Sequence, residues 1–109
     1  MNNLRNKVQL IGHLGKDAEV KKLNGGNALA RVSIATKEVY KNQKGEKVVD
    51  VQWHNLIGWG RVAENMEVFF KKGKNIAVQG KLTHRTYEGK DGKTRSISEI
   101  VISDFMLMN

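Results

Sequence analysis

Cysteine is absent from this chain, which excludes disulfide frameworks and thiolate metal sites and is compatible with a reducing compartment. Long apolar runs are absent too: nowhere are there 18 consecutive apolar residues, and the opening MNNLRNKVQLIGHL lacks the apolar core of a signal peptide. A soluble, cytoplasmic protein is the expectation. The three histidines, His13, His54 and His84, have no second histidine three or four positions away, so no metal site is expected. No serine sits in G-x-S-x-G, and Asp17, Glu19, Asp50 and Asp91 occupy separate segments, so neither nucleophilic nor carboxylate catalysis has a constellation to work with. The chain reads as a non-enzyme without a cofactor. Acidic residues are in short supply as well. Eleven Asp and Glu against nineteen Lys and Arg leave a formal charge of +8, the balance of a protein that meets a polyanion, and nucleic acid leads that class.

What is present is alternation. Val8 and Leu10, Val32 and Ile34, Ile76 and Val78, and Ile100 and Ile102 recur at the strand period of two, bounded by turn-forming residues. The turn candidates are LNGGN (23–27), KNQKGEK (41–47) and YEGKDGKT (87–94), rich in residues that tolerate positive φ. Only GRVAENMEVFFKKGK (60–74) departs from this pattern. There Val62, Met66, Phe69 and Phe70 form the stripe of an amphipathic helix, with Gly73 placed to end it. At 109 residues the chain (1–109) is a single domain. About five strands with one short helix between the third and fourth is the element order of an all-β OB-fold, a five-stranded, partly open Greek-key barrel.

Two phosphate-binding motifs are mimicked. Gly58, Gly60 and Ala63 spell G-x-G-x-x-A between a strand and a helix, but NIAVQG (75–80) offers no acidic residue for a ribose, and the bulk of Trp59 would crowd a pyrophosphate. The glycines read as a strand-to-helix corner. GKDGKT (89–94) has two residues between its glycines where a phosphate-binding loop has four, and it joins strands, so it reads as a hairpin turn.

Seven aromatic side chains are present, and they divide by neighbourhood. Phe69 and Phe70 on the helix and Phe105 in the final apolar run read as core. Tyr40, Trp53, Trp59 and Tyr87 have basic or polar neighbours: Lys37, Lys41, Gln52, Asn55, Arg61, Arg85 and Lys90. In VQWHNLIGWGR (51–61) the strand period puts Trp53 and Trp59 on one side, whereas helical spacing would separate them by about 240°. A base stacked on such a ring is held by about 1 to 3 kcal/mol while a neighbouring cation neutralises phosphate, the way single strands are bound without sequence readout. The same spacing also fits two tryptophans that fill a barrel, with the tyrosines as incidental surface residues. Lys71, Lys72 and Lys74 taken alone read as a solvated helix end.

From Asn6 to about Leu107 the sequence resembles the DNA-binding domain of bacterial single-stranded DNA-binding protein. The resemblance rests on ordered motifs: NKVQLIGHLGKDAEV for the family's N-K-V-x-L-x-G-x-L-G-x-D-x-E-V, GGNALARVSIAT, the Trp-His pair of VQWHNLIGWGR, the helix ending in FFKKG, and VQGKL before a long basic hairpin. It implies an OB-fold that binds single-stranded DNA in replication, recombination and repair, assembled as a homotetramer in the bacterial cytoplasm. The family's stacking aromatics fall on Tyr40, Trp53, Trp59 and Tyr87. Tyrosine stands at 40 and 87 where tryptophan is common, and Trp59 where phenylalanine is common; stacking survives each exchange. Phosphate contacts carry over to Arg61 and Lys72, and to Lys41, Lys44 and Arg85 in two loops, while Asn55 replaces a basic residue seen in some relatives. Asn6, Lys7 and His54 match subunit contacts, and alternation turns His54 away from Trp53. Family members usually continue into a flexible linker and an acidic tip that recruits replication and repair proteins. This chain stops at ISDFMLMN, so such partners are expected only where the full protein carries that tail. The same fold also serves dimeric replication-restart proteins and RNA-binding modules, and stacking does not separate RNA from DNA.

Overall fold

The computed structural model describes residues 5–23 and 25–108. In chain order the elements are β1 (Val8–Leu14), β2 (Glu19–Lys22), β3 (Ala28–Lys41), β4 (Lys47–Trp59), α1 (Arg61–Phe69), β5 (Asn75–Glu88) and β6 (Thr94–Leu107). The strands lie in the order β1-β5-β6-β4-β3-β2, and β1 also pairs with β3, which closes β1, β3, β4, β5 and β6 into a barrel. Neighbours run antiparallel except β4 and β6, which are parallel through Asn55–Ile57 and Glu99–Val101. This is the expected OB-type barrel. A short sixth strand, β2, flanks β3 along Glu19–Lys22 and shifts the numbering, so the helix that follows the third barrel strand lies between β4 and β5.

Parity decides what is inside. Ala28, Ala30, Val32 and Ile34 of β3 face Leu56 of β4, Ile76 and Val78 of β5, and Ile100 and Ile102 of β6, all buried. Each pair that alternation marks as a strand therefore contributes to the core, except that Val8 and Leu10 are half-buried and pack against its edge.

The helix closes one end of the barrel. Ala63 and Met66 are fully buried, and the Phe70 ring beyond them meets Phe105 edge-on, with centroids 4.7 Å apart and planes at 85°. Gly58 and Gly60 are the corner that permits this. A side chain at Gly58 would collide with the Met66 sulfur, and Gly60 turns the chain with φ 59° into the first helical residue. The apolar stripe is displaced from the expected one. Regular helix stops at Phe69, and Phe70 leaves it with φ −89° and ψ 89°. That change of course carries Phe70 inward and leaves Phe69 on the rim, 43% exposed and 6.3 Å from the Phe105 centroid. Phe69 is thus a rim residue rather than core. Gly73 does not cap the helix either: at φ 84° it turns the chain toward β5, its N–H donating to the Leu14 carbonyl at 2.9 Å.

Candidate nucleic-acid interface

On β4 the residues Trp53, Asn55 and Trp59 point outward, alternating with inward Leu56 and Gly58. Register carries this outer face across three neighbouring strands. Ala35 lies opposite Trp53, Ser33 opposite Asn55, Arg31 opposite Ile57 and Leu29 opposite Trp59. On the other side Asn55 pairs with Glu99, which pairs with Thr83, while Ile97 faces Arg85 and Arg95 faces Tyr87. Trp53, Trp59 and Tyr87 therefore belong to one face, built from β3, β4, β6 and β5. At about 3.4 Å per residue the two indoles stand about 20 Å apart along β4.

These rings are on the surface. Trp53 is 60% exposed, Trp59 49% and Tyr87 43%, so the reading in which the tryptophans fill the barrel is overturned. Trp53 is seated as well as exposed. The edge of its ring abuts Gly15, where a Cβ would come within 2.7 Å of the indole Cζ3. A glycine in HLGKD thus leaves the room that the outer edge of the indole occupies. Tyr87 is covered on one side by the Arg85 guanidinium, 5.8 Å from the ring centroid, a cation–π distance. Tyr40 stands apart. It is 52% exposed, but it pairs with Val48 and shares the parity of Ile34 and His54, so it projects from the reverse side of the β3–β4 ribbon.

Exposed cations lie beside the rings in sequence or on adjoining segments. Arg61, the first residue of α1, follows Trp59 by two positions and is exposed. Exposed Lys72 is fixed through its backbone N–H, which donates to Asp17 Oδ1 at 2.8 Å. Lys41 pairs with Lys47 at the tip of the β3–β4 hairpin, and Lys44 sits in a turn held by Asn42, whose side-chain oxygen accepts from the N–H groups of Lys44 (2.9 Å) and Glu46 (3.0 Å).

Arg85 lies within β5, opposite Ile97, and not in a loop as expected, because the β5–β6 ladder runs on to Glu88 and Thr94. Its Nε donates to Glu99 Oε1 at 2.7 Å and its Nη2 to Oε2 at 3.4 Å, while Arg31 Nη1 donates to the same Oε2 at 3.1 Å. The hydrogen bond and charge of Glu99 raise the Arg85 pKa above its ordinary value. Glu99 is 4% exposed. A buried carboxylate is tolerable here because two cations satisfy it. Sequence reading missed Glu99, Arg31 and Gly15. The acid sits at an outward position of an alternating strand, where a charge reads as solvated, and only the register shows two arginines folding over it.

The three residues matched to subunit contacts are spread over the other faces. Half-buried His54 lies on the opposite side of β4 from Trp53, its Nε2 3.1 Å from Thr36 Oγ1. Asn6 clasps the β5 backbone, donating from Nδ2 to the Leu82 carbonyl and accepting the Leu82 N–H at Oδ1, both at 2.9 Å. Lys7 is exposed beside it.

A closed five-stranded barrel that carries exposed aromatic rings among cations on one outer face is the make-up of an oligonucleotide-binding barrel. The chain belongs to the Single-strand binding protein family, whose model residues 5–108 match. It is 36% identical over 103 residues to the single-stranded DNA-binding protein of Neisseria meningitidis serogroup A, covering 94% of this chain and 59% of that protein. It is 33% identical over 104 residues to single-stranded DNA-binding protein 1 of Chlorobaculum tepidum, covering 94% of this chain and 64% of the relative. The chain thus spans about three fifths of the length of these two relatives. In three dimensions it is similar to the Plasmodium falciparum SSB in complex with ssDNA, with TM-score 0.86, 29% identity and 95% of each chain covered. It is also similar to a deletion mutant of the Thermus aquaticus single-stranded DNA binding protein, with TM-score 0.82, 25% identity, and 95% of this chain and 50% of that one covered.

Proposed function

We propose that this domain binds single-stranded DNA without reading its sequence, coating exposed strands during replication, recombination and repair in the bacterial cytoplasm, and that it does so without catalysis or cofactor. The observation that carries the reading is the pair Trp53 and Trp59, exposed on one outer face of the barrel among cations. Bases stack on Trp53, Trp59 and Tyr87, and on Tyr40 as the strand passes round the β3–β4 ribbon. Phosphates meet Lys41, Lys44, Arg61 and Lys72, and Arg85 offers the Nη1 group that Glu99 leaves unused. Duplex DNA hides its base faces, so this platform selects single strands.

Intrinsic tryptophan fluorescence tests the reading directly. Deep quenching by oligo-dT, with little response to a duplex of equal charge, is the expected outcome. Equal response to both would reduce the site to a basic surface. The protein assembles as a homotetramer through contacts that include Asn6, Lys7 and His54, and its mass in solution checks this, since a dimer would point to a replication-restart module. Partners in replication and repair are reached through an acidic tail where the full protein has one.

A further inference from the structure

At the centre of the candidate interface part of the chain's strong positive charge is offset by a buried acid. Glu99 is 4% exposed beneath Arg31 and Arg85, whose side chains are 46% and 43% exposed. Glu99 spends both carboxylate oxygens on the two guanidiniums. The cluster counts as one positive charge rather than two. It borders an open depression of about 190 Å³ that Ser33 and Asn55 also line, on the same face as Trp53.

We infer, on the strand-binding reading above, that the Arg31–Glu99–Arg85 cluster stays closed when a strand binds. Glu99 is then a positioning residue that limits how many phosphates the centre of the face neutralises. Its physical basis is the position of the acid. If either arginine swings out to a phosphate, this buried carboxylate loses a charge-assisted hydrogen bond and keeps an acceptor short of its partner, which is costly. The two arginines therefore meet the strand with one net positive charge between them. On meeting a strand they release the counterions of one free cation and not of two. The backbone of the strand rests chiefly on the free cations Arg61, Lys72, Lys41 and Lys44, and Arg85 adds its unused Nη1 group without leaving Glu99. Glu99 also holds Arg85 over one side of Tyr87, which leaves a base the other side of that ring.

The salt dependence of binding reads this directly. Oligo-dT affinity is measured by tryptophan quenching from about 50 to about 200 mM salt for the wild type, Glu99→Gln and Glu99→Asp, each first shown to melt cooperatively. Glu99→Gln keeps the shape and an acceptor but removes the charge, and its log-log slope is expected to steepen by about 0.7, the increment for one further phosphate neutralised. Glu99→Asp keeps the charge and the wild-type slope. An unchanged slope in a folded Glu99→Gln protein overturns the inference. A second measurement needs no variant: in the 15N-labelled wild type the Arg85 Nε–H resonance is expected to keep its shift and its protection from solvent exchange when oligo-dT is added. Its displacement would show Arg85 leaving Glu99 for a phosphate, and would overturn the inference even if Glu99→Gln failed to fold. Absence of quenching in the wild type would instead remove the strand-binding reading itself.

Discussion

A tryptophan that is 60% exposed and abuts a glycine has little reason to be there for stability. Burying it completely would have given the barrel more apolar area, and leaving it on the surface costs solubility. Trp53→Ala is accordingly expected to weaken oligo-dT binding by about 1 to 3 kcal/mol, measured by fluorescence anisotropy of a labelled oligonucleotide. Its melting temperature should stay close to the wild-type value. Loss of stability with unchanged affinity would mark the indole as a packing residue instead. The residue scale also shows what the chain alone conceals. That Trp53 and Trp59 share a side follows from a period of two along one strand, which any reader of VQWHNLIGWGR can count. That Gly15 makes room for the ring edge does not, because the contact joins segments 38 positions apart in the sequence.

At the scale of elements, α1 is held by what it buries and not by its caps. Its N-terminus has no side-chain cap, and its last turn has no basic residue. Met66, fully buried against the Gly58 corner, is the residue on which its docking depends. Met66→Ala is expected to cost about 2 to 5 kcal/mol in urea unfolding, the range for truncating a large core side chain, while oligo-dT affinity of the folded fraction stays near wild type. The barrel strands and the place of the helix in the chain were legible from alternation and from the turn-forming stretches. Two features were not. Phe69 and Phe70 are adjacent in an apolar stripe, and which one enters the core depends on the turn at which the helix unwinds, a tertiary choice that periodicity does not encode. The side of Tyr40 depends on register through the β3–β4 turn, where a slip of one residue would exchange the two faces of the ribbon. Only the observed pairing of Lys41 with Lys47 places Tyr40 behind the platform and not on it.

For the whole molecule the relevant quantity is how much of its charge is free. Four of the nineteen basic residues form ion pairs among the described residues, so most of the positive charge is available to a polyanion. The affinity for oligo-dT is expected to fall with salt on a log-log slope of about −0.7 for each phosphate neutralised. A titration series at several ionic strengths gives that count, and a salt-insensitive complex would take the lysines out of the interface.

Every residue from 37 to 47 is exposed, although the ladder between β3 and β4 runs unbroken from Leu29 and Trp59 to Lys41 and Lys47. The inner half of that hairpin is clamped by the core, and the outer half is held by little beyond its own backbone hydrogen bonds. Opening of the ribbon therefore begins at its tip and grows steadily more costly toward the barrel wall, a graded hinge with no single pivot. On the strand-binding reading proposed above, a strand passing Tyr40 would meet the end of the hairpin that opens most easily.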